Sequence, residues 1–544
     1  MVTTSDLITS GYFPRELPPP FNTKDLGTHL TTILSNLQGH RVSKLVSFDI
    51  PKVKLARRHL GIPNPLQQIK LSQVIETNWA QIQAHYSKSN VSASVPVHTP
   101  SGKRAVATTF SFGELPVERA LRSPGSRILL KTDISRYYPS IYTHSIPWAL
   151  HTKSTAKRTR GNSLFGNLID ESVRNSQDGQ TMGIPIGPDT SLIVSEIIGS
   201  ELDHLLQLEI PNLKGFRYVD DYYLYFENVS DAEIACAKMT NILKSFELDP
   251  NTVKTSITHL PEILEKKWAL ELRLYDIREN QKAQKRDIIS YFSKAFEYSL
   301  EFPSDAVLKY ALKRSRSFKI SYDNWPLYES LILRAMIDEP SVLPTAAQIL
   351  LSYQQAGYTL AMTKITETIY DLIKYHSRYR HTFEVAWALW IAKSLNISIP
   401  DYIADMVSEF DNSVIALIAL DLRDSGLISR LKTTLWRNYM TVTNLSEEQW
   451  LLTYEAHIKG WLNLASGSTA FGANQFFNTL KSNNVQFYDK TATVSTFIPP
   501  YLNGGNISFE DVLERLIEKT GLEKTDIAKS DNLNYDMLFP YIEY

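Results

Sequence analysis

The 544-residue sequence contains a single cysteine, Cys236. One thiol excludes a disulfide framework and any zinc site built on several thiolates, and it fits a reducing compartment. Long apolar runs are also missing. No stretch approaches the roughly eighteen apolar residues of a membrane span, so no membrane association is expected. The opening segment, "MVTTSDLITSGYFPRELPPPF", lacks the basic start and apolar core of a secretory leader. Nor does one sign of charge dominate, with 57 Lys and Arg against 58 Asp and Glu. The remaining composition, 43% hydrophobic and 21% charged, is that of a globular chain long enough for more than one core.

Charge neutrality is an average along the chain. Between 51 and 160 there are 17 Lys and Arg but only 4 Asp and Glu, and the rest of the sequence carries the compensating acidic excess. A basic segment inside a neutral chain is the electrostatic footprint of a polyanion site; the alternative is a solvated basic surface.

Texture divides the chain into three parts: residues 1–50, 51–275 and 276–544. The first holds a Pro-rich strap, "FPRELPPPF", followed by a helix over "TKDLGTHLTTILSNL". In the second, strand-like "RILLKTDI" and "FRYVDDYYLYF" alternate with "SLIVSEIIGSELDHLLQL" and "DAEIACAKMTNILKSF", whose apolar residues have helical spacing. This part is expected to be α/β. Beyond about 280 the pattern is helical, in segments such as "PTAAQILLSYQQAG", "KITETIYDLIKYH" and "TFEVAWALWIAKSL". Helices recurring at this short interval suggest an all-α domain of HEAT-like stacked pairs; an irregular helical bundle is the alternative.

The stretch "FRYVDDYYLYF" places Asp220 and Asp221 between two aromatic strands. It reads as a hairpin with the acids at its tip. Adjacent carboxylates repel, and burying them unpaired is costly; a divalent cation relieves both problems. Asp133, in "ILLKTDISRYYPSI", also ends an aliphatic strand. If the two strands are neighbours, three carboxylates converge and can hold two Mg²⁺ ions roughly 4 Å apart, with Mn²⁺ as a substitute. One ion activates an attacking hydroxyl and the other stabilises departing pyrophosphate. The competing reading of an isolated Asp-Asp pair is a polar turn.

These residues resemble the palm of a reverse transcriptase. "YVDD" (Tyr218 to Asp221) matches that family's metal-binding hairpin, and "DISRYY" (Asp133 to Tyr138) resembles its first acidic motif. The resemblance gives Tyr138 the place of a steric gate against the ribose 2′-hydroxyl, which implies dNTP substrates. "GIPIGPDTSLIVSEIIGSELD" (183–203) resembles the motif that lines the nucleotide, with Gly187 permitting close backbone approach. "LDPNTVKT" (248–255) resembles the following motif, whose Lys254 is placed to protonate pyrophosphate. The basic segment then reads as fingers, and Lys52, Arg57 and Arg58 become candidates for gripping the triphosphate.

"YTHSIPW", "KSTAK", "ANQFFN" and a terminal "YIEY" are similar to abortive-infection polymerases of the AbiK type and their defence-associated relatives. That resemblance implies a bacterial cytoplasmic enzyme of phage defence. It would make single-stranded DNA without a template, begin the strand on one of its own tyrosines so that product stays covalently attached, and assemble as a homo-oligomer, a trimer or hexamer. Tyr12, near the N-terminus in "SGYFPREL", is the priming candidate; its alternative role is to pack the strap onto the palm. Two other functions compete with this one. One is a reverse transcriptase that copies a dedicated small RNA, as retron enzymes do. The other is a nucleic-acid-binding scaffold with an inactive palm, against which the intact Asp133, Asp220 and Asp221 argue.

Overall fold

The computed structural model describes residues 1–497, apart from 36, 38–41, 53–55 and 101, together with Pro499. The terminal "YIEY" motif and the end of the expected 276–544 part lie outside the described residues.

Among the described residues eight strands form three sheets. A first hairpin joins β1 (Val46–Pro51) to β2 (Arg57–Ile62), and a second joins β3 (Pro96–His98) to β4 (Val106–Thr108). The main sheet contains β5 (Ile128–Asp133), β6 (Lys214–Tyr218), β7 (Asp221–Phe226) and β8 (Ser256–His259) in the order β6-β7-β5-β8, all antiparallel. Both faces of this sheet are covered, which explains its unbroken apolar and aromatic runs. Tyr222, Leu224 and Phe226 of β7 pack into the core built with helices Asp189–Glu209 and Val229–Ser245. Tyr223 and Tyr225 face the other way, onto Phe216, Leu129 and Leu115.

The region after 267 is helical. Its helices lie in two layers of alternate members: Gln281–Glu301, Trp325–Asp338, Met362–Arg378 and Asp401–Ser408 touch in succession, and so do Val307–Ser315, Leu343–Gln355, Thr382–Ser394, Ser413–Asp424 and Trp450–Ile458. The second layer is the inner one. Thr382–Ser394 and Ser413–Asp424 are apolar nearly all round and buried accordingly.

Hydrophobic packing does not follow the sequence boundaries. The strap (Tyr12, Phe13, Leu17, Phe21) and the β1–β2 hairpin share one core with the helical half, while the main sheet has its own. Polar contacts join the same parts. Asn64 caps helix Pro65–Thr77 and donates to the Leu445 carbonyl at 2.7 Å; Asn412 caps Ser413–Asp424 and donates to the Ser47 carbonyl at 2.8 Å. The single helix expected after the strap is instead two short ones, Lys24–Thr28 and Leu30–Ser35. The segment is rich in threonine and holds a glycine, and so has little intrinsic helicity.

Candidate active site

Asp133 ends β5, and Asp221 opens β7 directly opposite it in register. Side chains alternate along each strand, so both project from the same sheet face. Asp220 belongs to the two-residue turn between Tyr218 and Asp221, which pair across β6–β7. The tip is therefore Val219-Asp220, and Asp221 already belongs to the strand. Val219 has φ +56°, a strained conformation for a β-branched residue. Two contacts hold it there: its N–H donates to Ser94 Oγ at 2.8 Å, and its carbonyl accepts from Arg217 Nη1 at 2.9 Å.

Arg217 is fully buried in the strand leading to the acids, and its guanidinium is shared between Glu196 and Asp203 of helix Asp189–Glu209, both at 2.8 Å. Gly199 makes room for it, since a Cβ there would lie 2.6 Å from Arg217 Cζ. This buried ionic anchor under the turn went unnoticed in the sequence. The available signal was a basic residue inside an apolar strand.

The electrostatics are those of an acidic cluster short of cations. Burial first, and then the neighbouring charges of Asp221 and Asp133, push the Asp220 carboxyl up to about 7. Burial also raises Asp221. Lys254 Nζ donates to Asp133 Oδ2 at 2.6 Å, while Asp133 Oδ1 is buried without a donor. The loop carrying Lys254 is fixed to β5 because Asn251 N–H donates to the Asp133 carbonyl and Ser135 N–H to that of Asp249. Burial works against the Lys254 ammonium, but its hydrogen bond to Asp133 and the acidic charges outweigh this and raise its pKa. An unpartnered buried carboxylate oxygen and a raised acid pair are what a divalent cation satisfies, so Asp133, Asp220 and Asp221 fit the group expected there.

Other candidates gather around the cluster. Exposed Lys52 lies close enough to Asp133 and Asp220 to feel their charges; burial, Arg58 and Lys254 together lower its pKa. Tyr138 accepts from Ser195 Oγ at 3.1 Å, is within reach of the charges of Asp220 and Arg58, and has its hydroxyl pKa raised mainly by burial.

Three candidates have their contacts elsewhere. Arg57 does not face the acids: its guanidinium is committed to Asp49 and, through both terminal nitrogens, to Glu384 of the helical half. Tyr12 is not a free arm. Its side chain is fully buried, packs edge-on against Phe13, and donates its hydroxyl to the Pro63 carbonyl. Gly187, at φ +129°, does accommodate a close approach, but the neighbour is Pro14 of the strap, whose Cγ would lie 2.5 Å from an added Cβ.

Residues 69–296 match the family model for reverse transcriptase (RNA-dependent DNA polymerase). The chain carries a reverse transcriptase domain. That domain spans the main sheet with its acids and runs into the first long helix of the helical half, and its kind is that of RNA-directed DNA polymerase-like nucleotidyltransferases. Among solved structures, the chain is similar to apo telomerase from Candida tropicalis, with 12% identity over 61% of this chain and 66% of that one, at a TM-score of 0.31. It is also similar to telomerase from Candida albicans in complex with a telomeric RNA fragment, with 13% identity over 73% and 65%, at a TM-score of 0.27. The chain thus spans slightly under two thirds of each telomerase chain. No curated protein shows significant similarity to the sequence. Among the described residues no helix is long and apolar enough to cross a membrane.

Proposed function

We propose that this protein polymerises dNTPs at Asp133, Asp220 and Asp221 and does so as a self-primed, template-independent enzyme of bacterial phage defence. The observation that carries the catalytic part is the cross-strand pair Asp133–Asp221, with a buried Asp133 oxygen that has no donor. The three carboxylates would hold two Mg²⁺ ions, which supply Lewis-acid activation of the attacking hydroxyl and neutralise the departing pyrophosphate. Lys254, exposed yet anchored to Asp133, is protonated and placed to donate to the leaving group. Lys52 and Arg58 offer cationic charge beside the acids for the triphosphate. Tyr138, braced by Ser195, acts as a rigid wall against a 2′-hydroxyl.

The finer part of this reading rests on the scattered similarity to abortive-infection polymerases. The two-layer arrangement of the helical half supports a HEAT-like repeat domain in the place of a thumb, and a homo-oligomer follows from the same similarity. A second reading, copying of an RNA template, is favoured by the family model itself, whose members are described as RNA-dependent DNA polymerases.

One experiment separates the two. Purified protein is incubated with Mg²⁺ and labelled dNTPs, with and without added RNA. The product is run under denaturing conditions and sequenced, and any attachment residue is read by mass spectrometry. The proposal expects label bound to protein, unchanged product statistics whatever RNA is added, and no label when Asp220→Asn and Asp221→Asn are combined. A product whose sequence follows the RNA would establish the second reading instead.

A further inference from the structure

Outside the acidic cluster, one other group of potential ligands stands out. The turn between helices Met362–Arg378 and Thr382–Ser394 carries His376, His381 and Glu384. Arg380 reverses the chain there with φ +56°, and it is fixed by donating to the Glu409 carbonyl at 2.8 Å. The reversal turns the two imidazoles toward each other, Nδ1 to Nδ1 at 3.0 Å. Glu384 Oε1 lies 4.0 Å from the first and 3.9 Å from the second. Those separations lie close to the roughly 3.4 Å between neighbouring ligands of a tetrahedral Zn²⁺ with bonds near 2.1 Å, so a small inward shift of Glu384 completes the set.

The surroundings suit a cation. His376 and Glu384 are buried and His381 is partly exposed, which leaves one open side. Glu384 is oriented by Arg57, whose Nη1 donates to Oε1, the oxygen facing the imidazoles, and whose Nη2 donates to Oε2 at 2.6 Å; Oε1 keeps a second lone pair for an ion, and Arg57 is in turn held by Asp49. Asp49 accepts from the Thr382 N–H at 2.9 Å, which closes a ring of contacts back to the turn. A ligating carboxylate steadied by a second partner is the usual outer-shell arrangement of a metal site. Without an ion, Asp49 and Glu384 set two carboxylates against one guanidinium, an excess of negative charge that is costly when buried.

We propose that His376, His381 and Glu384 form a Zn²⁺ site, with a water completing the tetrahedron on the His381 side, and that the ion fastens the helical half to the β1–β2 hairpin through Glu384 and Arg57. An imidazole pair linked only by an Nδ1–H···Nδ1 hydrogen bond is the alternative, and the test separates the two. This site does not depend on the polymerase reading.

The test uses the full chain carrying Asp220→Asn and Asp221→Asn, so that the other acidic cluster contributes little metal affinity. The chain is stripped with chelator, titrated with Zn²⁺ against a chromophoric zinc chelator, and separately loaded with Co²⁺. The expected results are one Zn²⁺ per chain, the intense visible absorption of tetrahedral Co²⁺, and a melting temperature restored by Zn²⁺ but not by Mg²⁺. His381→Gln should weaken Zn²⁺ binding at least about 100-fold, and Arg57→Lys about 10–100-fold. A folded, stripped chain that takes up no Zn²⁺ and gives no Co²⁺ band overturns the proposal. So does uptake that His381→Gln leaves unchanged in a folded protein. If that variant fails to fold, the Co²⁺ spectrum of the parent chain decides alone.

Discussion

Asp133 and Asp221 face each other across adjacent antiparallel strands, on one face of the main sheet. Residues so paired have Cβ atoms about 4.5–5.5 Å apart, and like charges at that spacing destabilise a sheet. Asp220, one residue away in the turn, adds a third carboxylate. The chain thus keeps a local repulsion that an apolar residue at any of the three positions would lessen.

That repulsion has a pH signature. The Asp220 carboxyl is raised to about 7 from an ordinary value near 3.8. A raised acid penalises the folded state at pH above the raised value, and the penalty fades as pH falls through it. Metal-free Asp220→Asn should therefore melt a few degrees above the wild type at pH 8, with the gap shrinking below pH 7 and closing near pH 4. Mg²⁺ should narrow the gap at pH 8. Calorimetry at the two pH values checks this, and a destabilised variant at pH 8 contradicts it.

Tyr138 excludes ribonucleotides if its ring is the barrier. Tyr138→Ala should raise ribonucleotide incorporation relative to deoxynucleotide by at least about tenfold, roughly 1.4 kcal/mol of discrimination. Tyr138→Phe keeps the ring and loses only the Ser195 contact, so its selectivity should stay near that of the wild type. Competition between labelled dNTP and NTP measures both.

Lys254 is assigned to the departing pyrophosphate. Lys254→Ala should reduce turnover by about 10²–10⁴, the range of general-acid catalysis, and leave dNTP binding less affected. Steady-state kinetics separate the two effects; a loss confined to KM would reassign Lys254 to binding.

The anchor beneath the acids is also testable. Arg217→Met leaves Glu196 and Asp203 as uncompensated buried carboxylates and should cost about 3–5 kcal/mol in denaturant unfolding. Gly199→Ala keeps every charge but places a methyl 2.6 Å from Arg217 Cζ, so it too should destabilise the protein. It should also weaken divalent-ion binding at the turn, because Arg217 holds the strained Val219 carbonyl.

The sequence made the acids readable and left their support hidden. Asp220 and Asp221 are conspicuous because they interrupt an aromatic strand, and Asp133 because it ends an aliphatic one. The helical half was readable because periodicity is local. Arg57 could not be told from Lys52 and Arg58 locally, because its partner Glu384 lies 327 residues away and a guanidinium fork suits a carboxylate as well as a phosphate. Between the two roles open to Tyr12, its glycine and its place near the chain end suggest freedom, while its burial beside Phe13 and Pro63 is the packed one. Burial against distant residues has no local trace.

The β1–β2 hairpin carries Arg57 on its inward, ion-paired side and leads to Lys52 beside the acids. Its core is that of the helical half. Any swing of this hairpin toward an incoming triphosphate must therefore drag the inner helical layer with it. A ligand or subunit that clamps those helices would throttle the nucleotide end without approaching it.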